Sequence, residues 1–427
     1  MNWVERDSAV VWHGFTQMSS FGDNEPVIVE RGEGRELIDV DGRRYLDAIS
    51  SLWVTTLGHH VAELDKALHE QIDRIAHSTM LGNGNRIVIE FAEALAAVVP
   101  VDGPHILFAS DGASAVEQAL KIAFQYWTNR GDHGRRTYLA FGDGYHGDTI
   151  GALSVGASGF GTHIFDPLRF PVRRAPSFAD PSALDTAVDL VEAHRDELAA
   201  VVVEPLVQAA GGMHCAHPKE FAKLASVCRS TGVLLICDEV ATGFGRTGTL
   251  FACEAVGLRP DILCLGKGIT GGYLPMSATV ASQQVFDAFV GPDLSERTLY
   301  HGHSYGGNAL AAAVALRHLQ LLHEWEVVAN VRARSTQLRE ALALRVESRS
   351  AVRDVRVCGL LAGVELDDAA GGARLARRVC AQMVRRGVLS RSLGAIITLV
   401  PPLTISSGEI DRIVAAVVDA LDDVGAV

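Results

Sequence analysis

The stretch Val233-Leu-Leu-Ile-Cys-Asp238 is an apolar run that ends in a carboxylate, and two neighbouring runs also end in a charged residue. Ala199-Ala-Val-Val-Val-Glu204 precedes it, and Asp261-Ile-Leu-Cys-Leu-Gly-Lys267 follows it. Short apolar runs bounded by turn residues are typical of buried strands. A helical pattern over residues 218–230 separates the first two runs, which makes them parallel. The sequence therefore predicts that the three charged side chains meet at one edge of a sheet.

Two carboxylates and a lysine in one crevice indicate a particular cofactor chemistry. A lysine amine forms a Schiff base with an aldehyde, and an aspartate keeps a pyridine nitrogen protonated. These are the groups that pyridoxal 5'-phosphate (PLP) requires. The simpler alternatives are a solvated surface amine for Lys267 and a strand-end salt bridge for Asp238.

A second feature that favours PLP is a candidate phosphate site. The predicted strand His105–Ser110 runs into Asp111-Gly-Ala-Ser114, and helical apolar spacing follows. Ser114 and Glu117 have capping-box spacing. The N–H groups at a helix start bind anions, so Gly112 and Ala113 are candidate phosphate ligands. An ordinary strand–helix turn is the alternative.

The aromatic residue Tyr145 follows another predicted strand, Thr137–Phe141. It is therefore a candidate to stack on a bound ring, and a plain loop aromatic is the alternative. Spacing alone does not choose between the two.

Composition limits the classes of function. The chain has 427 residues and a net charge of -13, which argues against nucleic acid or an anionic membrane as partner. No apolar run approaches the ~20 residues of a membrane helix, and the first residues lack a signal-peptide pattern. Of seven cysteines, Cys237 and Cys264 lie in apolar strands, which favours reduced thiols. We expect a cytoplasmic enzyme.

The pattern along the chain predicts an α/β protein of two domains. Residues 56–310 alternate strands and helices, which indicates a large domain with a mostly parallel sheet. Residues 1–55 and 311–427 are predicted to form a smaller α+β domain. Its predicted elements are strands at Pro26–Val29, Val352–Val357, Leu361–Leu366 and Ile396–Val400, a helix opening at Asn308, and a helix over Ala373–Arg386.

Three other motifs point to different chemistry and are rejected. Gly243-Phe-Gly-Arg-Thr-Gly248 matches the dinucleotide fingerprint, but it does not directly follow a strand. Gly302-His-Ser304-Tyr-Gly306 matches a hydrolase elbow, but no acid and then histidine follow the serine in the required order. The His59-His60 and His301-x-His303 pairs lack helical ligand spacing, so we predict no metal.

Two segments of the chain together resemble the class III aminotransferases, which have PLP-dependent transferase fold type I. They are Asp238-Glu-Val-Ala-Thr-Gly-Phe-Gly-Arg-Thr-Gly248 and Leu265-Gly-Lys-Gly-Ile-Thr-Gly-Gly272, and the resemblance covers nearly the whole chain. It implies that Lys267 is catalytic and holds PLP, and that Asp238 faces the pyridine nitrogen. It also implies a homodimer whose active site lies at the interface. The implied cofactor-binding residues are Gly112, Ala113, Tyr145, Glu204, Gln208, Asp238, Val240, Lys267 and, from the partner chain, Ser304.

Within the class, the chain resembles the members that act in biotin synthesis. The similar segments are Trp12–Thr16, Ser50–Trp53, Gly144–Thr149 and Leu399–Pro402, with Arg391 before the last. The resemblance implies amino transfer from S-adenosylmethionine to 8-amino-7-oxononanoate, with Arg391 on a substrate carboxylate. The implied substrate residues are Phe15, Leu52, Trp53, Tyr145, Gly307 and Arg391.

Several positions depart from the pattern of these members. Phe15 stands where they usually have tyrosine, Leu52 where they have tryptophan, and Ser392 where they often have proline. Loss of a polar partner in a pocket changes specificity because substrate groups are left unpaired. The donor therefore stays open between S-adenosylmethionine, lysine and another amine. An ω-aminotransferase of secondary metabolism and a PLP aminomutase are further alternatives.

Overall fold

A seven-stranded sheet occupies the middle of the chain in the computed structural model, which describes residues 1–157 and 161–425. The strands are β1 Val29–Glu33, β2 Glu36–Asp39, β3 Arg44–Asp47, β4 His105–Ala109, β5 Thr137–Phe141, β6 Arg173–Ala175, β7 Leu198–Val203, β8 Val207–Gln208, β9 His214–Cys215, β10 Leu234–Asp238, β11 Ile262–Leu265, β12 Ser277–Ala281, β13 Val352–Cys358, β14 Leu361–Leu366, β15 Val388–Leu389, β16 Arg391–Leu393 and β17 Ile396–Leu399.

The helices surround these strands. They are α1 Trp3–Ser8, α2 Ser50–Trp53, α3 Ala62–Ile72, α4 Arg86–Ala96, α5 Gly112–Asn129, α6 Ile150–Val155, α7 Ala183–His194, α8 Phe221–Thr231, α9 Ala252–Val256, α10 Gln283–Asp287, α11 Ala309–Glu324, α12 Val327–Arg345, α13 Gly372–Arg385 and α14 Ser407–Asp423. Short 3₁₀ turns lie at Met18–Ser20, Gly22–Asn24, Thr162–Leu168, Pro218–Glu220, Lys267–Thr270 and Asp368–Ala370.

The large sheet confirms the prediction of a mostly parallel arrangement. Its order is β4-β12-β11-β10-β7-β5-β6, and only β12 runs antiparallel to its neighbours. Strands β7, β10 and β11 are adjacent, with Cys237 opposite Val203 and Asp238 opposite Cys264. All residues of these three strands are buried, as expected where helices cover both faces of a parallel sheet. The three charged strand ends therefore lie at one edge.

Eight of the remaining strands form two four-stranded sheets, and β8 and β9 pair in a separate two-stranded sheet. One four-stranded sheet has the order β1-β2-β3-β15, and the other has the order β13-β14-β17-β16. The pairing of Val388 with Leu46 joins the C-terminal segment to the N-terminal one. Helix α11, which begins just before the predicted boundary at residue 310, packs against α3 and α4. The division into residues 56–310 and the two flanking segments stays a prediction.

Two local predictions are wrong. Asp111, not Ser114, caps α5, because its Oδ1 accepts the N–H of Ser114 at 2.9 Å. Glu117 instead serves the start of α6, where its Oε1 accepts the N–H of Gly151 at 2.8 Å. The strand predicted at Pro26–Val29 begins only at Val29.

The state of the cysteines agrees with the prediction of reduced thiols. All seven cysteines are free thiols. Among the residues described, no helix combines the length and the apolar character that crossing a bilayer demands.

Candidate active site

A cavity of about 470 Å³ opens at the edge where β7, β10 and β11 end. Eight of the residues predicted for the site line it: Trp53, Gly112, Ala113, Tyr145, Glu204, Asp238, Val240 and Lys267. Its other lining residues are Asp111, His146, Gly147, Asp148, Thr149, Ala210 and Ala241. Side chains from segments far apart in sequence thus converge on one space.

Asp238 is held in the cavity by two hydrogen bonds. Its Oδ1 accepts the N–H of Val240 at 3.0 Å, and its Oδ2 lies 2.7 Å from Nδ1 of His146. Both side chains are almost fully buried. Burial opposes a charge on the imidazole, but the hydrogen bond and negative charge of Asp238, together with Glu204, outweigh it and raise the pKa of His146. A protonated His146 would hold the Asp238 carboxylate in place.

Glu204 is a second buried carboxyl group. Its oxygens accept the N–H groups of Tyr145 at 3.1 Å and Ala209 at 3.2 Å. Burial raises its pKa to about 7, although the nearby His146 charge pulls in the opposite direction. Glu204 therefore changes its charge near neutral pH, which is unusual for a carboxyl group.

Lys267 begins the 3₁₀ turn that follows β11 after one residue, Gly266. Its backbone has φ 41°, a left-handed conformation that L-residues adopt rarely. Burial lowers the pKa of its amine, and the charges of Asp238, Glu204 and Asp148 oppose that shift. The Nζ atom lies 5.4 Å from the centre of the Trp53 ring. An amine whose pKa is lowered is more often neutral, and a neutral amine is the nucleophilic form.

The first residues of α5 line the cavity, and the close packing around them requires glycine at several positions. A Cβ at Gly112 would lie 2.6 Å from Cγ1 of Val240, and one at Gly266 would lie 3.2 Å from the same atom. Gly147, with φ 123°, would place a Cβ 2.4 Å from Cβ of Ala113. The first N–H groups of a helix have no intrahelical acceptor and carry partial positive charge. This end of the cavity therefore suits an anion.

Gln208 lies beside the cavity without lining it. Its Oε1 accepts the N–H of Phe178 at 2.8 Å, and its Nε2 donates to the carbonyl of Gly142 at 2.8 Å. Its amide is thus engaged with two backbone segments, and the role predicted for it near a ring oxygen stays a prediction.

The remaining predicted residues lie outside this cavity. Phe15 is 61% exposed and Leu52 is 44% exposed. Ser304 is exposed on the segment before α11, and its carbonyl accepts a hydrogen bond from His77 at 2.8 Å. Gly307 is buried, with φ 68°. Arg391 opens β16, and among the described residues its guanidinium has no hydrogen bond or ion pair.

The residues present fit PLP. The ring nitrogen needs a fixed carboxylate, the aldehyde needs an amine of lowered pKa, and the phosphate needs free N–H groups. Asp238, Lys267 and the start of α5 supply these in the same cavity. Within the described ranges, no group of three or more His, Cys, Asp or Glu side chains is placed to hold a metal ion, and the absence of a metal stays a prediction.

His146 is the site residue that sequence reasoning missed. In the segment Gly144-Tyr-His-Gly, the position after a strand suggests a role for the tyrosine, but no spacing in the sequence suggests a role for the histidine. The signal was a histidine directly after a candidate stacking residue at a strand end. Only the fold brings it next to Asp238, which lies 92 positions further on.

Comparison with known proteins identifies the family of the chain. The class-III aminotransferase family matches residues 18–421. The adenosylmethionine-8-amino-7-oxononanoate aminotransferase of Nitratidesulfovibrio vulgaris is 42% identical, over 97% of this chain and 80% of its own length. The protein of the same name from Anoxybacillus flavithermus is 39% identical, over 98% of this chain and 96% of its own length.

Two solved structures are also similar. The crystal structure of adenosylmethionine-8-amino-7-oxononanoate aminotransferase from Methanocaldococcus jannaschii has a TM-score of 0.94 and 37% identity, covering 98% of each chain. An amine transaminase from an uncultivated Pseudomonas species, in its PLP-bound form, has a TM-score of 0.91 and 32% identity, covering 97% of this chain and 99% of its own.

The chain belongs to the class III aminotransferase family. It is an aminotransferase, and the family together with the PLP-bound neighbour implies PLP as the cofactor. The hydrolase alternative finds no support, because residues 288–308, which carry Ser304, contain no strand to form an elbow.

Proposed function

We propose that this protein uses PLP to transfer an amino group from S-adenosylmethionine to 8-amino-7-oxononanoate, giving 7,8-diaminononanoate for biotin synthesis. The observation that carries the proposal is the meeting of Asp238 and Lys267 in one cavity at the α5 start. Relatives that carry the name of this reaction, at 36–42% identity over nearly the whole chain, support the choice of substrates.

Lys267 is the proposed catalytic residue. When bound, PLP supplies an aldehyde for amine exchange and a ring that accepts electrons from the substrate. Because its pKa is lowered, the Lys267 amine would be available as a nucleophile toward the aldehyde of the bound cofactor and as a carrier of a proton at Nζ. The reaction then follows ping-pong kinetics, with the donor product leaving before the acceptor enters.

Asp238 and the groups behind it are proposed to hold the ring nitrogen protonated. A carboxylate hydrogen-bonded by the Val240 N–H and by His146 keeps its position. Val240 and Tyr145 line the same cavity and are proposed to enclose the ring from its two faces. Glu204, whose pKa is about 7, is proposed to act near the ring oxygen.

The phosphate is proposed to bind the N–H groups of Gly112 and Ala113, with Ser304 from a second copy of the chain. Ser304 lies on an exposed segment, and its neighbour Tyr305 is also exposed. Exposed aromatic side chains of this kind are frequent at interfaces between proteins. The homodimer is therefore part of the proposal.

Arg391 is proposed to bind a substrate carboxylate. Its guanidinium is half-buried and has no partner among the described residues, which leaves its donors available for a bidentate contact. Trp53, Phe15, Leu52 and Gly307 are proposed as walls of the substrate channel.

Lysine is the second candidate for the donor. Phe15 and Leu52 present exposed apolar side chains where the biotin-pathway pattern has a hydroxyl and an indole. These changes weaken the case for a donor that needs polar contacts at this wall. They leave the cofactor side of the cavity untouched.

A half-reaction distinguishes the donors. Purified protein is mixed with S-adenosylmethionine, and separately with lysine, without any keto substrate, and the absorbance of the bound cofactor is followed. We expect S-adenosylmethionine alone to convert the aldehyde form to the amine form. Conversion by lysine alone would replace the donor and keep the class. Conversion by neither would contradict both proposed donors.

A further inference from the structure

The four residues of the short element α2, none of them glycine, adopt left-handed backbone conformations beside the cavity, so that α2 is a left-handed turn rather than an ordinary helix. The φ angles are 49° at Ser50, 54° at Ser51, 101° at Leu52 and 69° at Trp53. L-residues enter this region singly, because the Cβ atom crowds the carbonyl oxygen. A run of four is strained and persists only where its surroundings over-determine it.

Asp47 is the group that holds this left-handed turn. Its Oδ1 accepts the N–H of Ile49 at 3.3 Å and of Ser51 at 3.1 Å. Its Oδ2 accepts the hydroxyl of Ser51 at 3.0 Å and lies 2.9 Å from Nε2 of His59. The carboxylate is fully buried, so each of these contacts replaces a lost water contact.

A second set of contacts ties the turn to the C-terminal segment. The Ser50 hydroxyl donates to the carbonyl of Val400 at 2.7 Å. Arg246, which is buried, donates to the carbonyl of Pro401 at 2.5 Å and to the Ser50 hydroxyl at 3.4 Å. The contacts on Ile49, Ser50 and Ser51 therefore fix the start of the turn through groups outside the cavity.

The turn places two adjacent side chains in different environments. The Trp53 indole is 7% exposed, lines the cavity and lies 5.4 Å from the Lys267 amine. The Leu52 side chain is 44% exposed and does not line the cavity. Relaxing the turn to right-handed backbone would move both side chains, because the direction of a side chain follows its backbone.

We propose that Asp47 is a positioning residue that locks the left-handed turn Ser50–Trp53 and so holds the Trp53 indole against the Lys267 amine. Asp47 itself does not line the cavity. The inference rests on the proposed function only for its kinetic test. The strain in the turn and the position of the Trp53 indole can be measured without any substrate.

The first test measures the strain. Leu52→Gly and Leu52→Ala both remove the exposed side chain, but only glycine accepts φ 101° without penalty. We expect Leu52→Gly to unfold at a higher temperature than Leu52→Ala, the reverse of the order for an ordinary helical position. Equal unfolding temperatures, or a lower one for Leu52→Gly, would contradict the strained turn.

The second test measures positioning, with Asp39 as the matched control. Asp39 is also a buried carboxylate, and it accepts the N–H groups of Asp41 and Arg43 and the hydroxyl of Tyr45. It is not bonded to the turn. The Trp53 fluorescence is obtained as the difference between each protein and the same protein carrying Trp53→Phe.

We expect Asp47→Asn to shift the Trp53 emission to longer wavelength and to raise the KM of the donor several-fold more than it lowers kcat. Asp39→Asn should lower stability and change neither quantity. The donor is whichever amine converts the cofactor, so failure of the proposed substrates does not disturb the emission result. If the emission and the KM are unchanged in Asp47→Asn, Asp47 has only a structural role and the proposal is wrong.

A smaller variant covers the case in which Asp47→Asn does not fold. Ser51→Ala removes only the hydroxyl bond to Asp47 Oδ2. We expect the same direction of change in emission and KM at smaller size. Wild-type values in this variant, with Asp47→Asn unfolded, would count against the positioning role.

Discussion

The two sides of the active site differ in how completely one chain builds them. On the cofactor side, Asp238, Glu204 and His146 are buried and hydrogen-bonded to one another or to backbone. On the proposed substrate side, Phe15 and Leu52 are exposed, and the Arg391 guanidinium has no partner among the described residues. By our proposal, one chain therefore holds the groups that perform the chemistry, whereas substrate recognition also needs a second copy of the chain.

The difference teaches where changes in function arise. A substitution on the cofactor side leaves a buried charge or donor unpaired, which is costly. A substitution at an exposed wall disturbs few contacts in the protein itself. Phe15 and Leu52, which depart from the biotin-pathway pattern, both lie on the exposed side. The reaction class is therefore more constrained than the choice of amine.

The largest expected effect belongs to Lys267. Lys267→Ala removes both the amine that bonds the cofactor and the proton carrier, so we expect kcat to fall by at least ~10³-fold. Steady-state rates and visible absorbance measure this loss. Lys223→Ala is the control, since Lys223 is exposed and pairs with Asp185 away from the cavity. A Lys267→Ala protein with wild-type rate would refute the assignment.

Glu204 should make the stability of the protein depend on pH. Its pKa rises from 4.5 to about 7 on folding, so the folded state binds a proton that the unfolded chain has released. Its contribution to stability is complete below about pH 4.5 and is lost as the pH rises through about 7. We expect Glu204→Gln to gain up to about 3 kcal/mol relative to wild type between pH 5 and pH 8.

Urea unfolding of both proteins at the two pH values measures this change. A constant difference between Glu204→Gln and wild type would mean that Glu204 stays ionised when buried, contrary to our interpretation.

Arg391 tests the open side of the comparison. Arg391→Lys keeps the charge but loses the bidentate geometry, so we expect the KM of the keto substrate to rise by about 10-fold or more. The stability of the protein should barely change, because the guanidinium has no partner among the described residues. Arg377→Lys, at an exposed position of α13, is the control. An unchanged KM would remove Arg391 from the substrate site.

The smallest expected effect belongs to the variant His146→Asn. His146→Asn places an amide nitrogen near the position of Nδ1, so the bond to Asp238 survives while the positive charge is lost. We expect a roughly 10-fold lower rate and faster loss of cofactor on dialysis. His146→Leu also removes the hydrogen bond, so its effect should be larger and approach that of Asp238→Asn, for which we expect poor retention of the cofactor and loss of most of the rate. His133→Asn, at an exposed position, is the control.

His146→Leu with wild-type retention of cofactor would show that Asp238 needs no partner. Comparison of His146→Asn, His146→Leu and Asp238→Asn thus separates the effect of the charge of His146 from the effect of its hydrogen bond.

Much of the fold and half of the site were predictable from the sequence, for a local reason. Glu204, Asp238 and Lys267 each end a buried run, and parallel strands bring their ends to one edge. Strand β12 was not predicted, because Ser277-Ala-Thr-Val-Ala is a run of small residues with a weak strand signal. The helix cap at Asp111 was missed because two side chains of suitable type stood near the helix start.

Contacts between distant segments were beyond sequence reasoning. One example is the pair His146–Asp238, and another is the hydrogen bond between Asp47 and Ser51. Both depend on how the chain packs, which the spacing of residues in the sequence does not show. Positive φ at four residues that are not glycine runs against local preference, so no propensity predicts it. Such disagreements between local preference and structure tend to mark functional sites.

The most direct test of the account is chemical fixation of the cofactor on the chain. Borohydride fixes an aldehyde that is bonded to a lysine amine, and peptide mass spectrometry then locates it. The chain has five lysines, and Lys66, Lys121, Lys219 and Lys223 are all exposed. We predict stoichiometric addition of a pyridoxyl phosphate group at Lys267. Addition only at the exposed lysines, or none at all, would contradict the central claim.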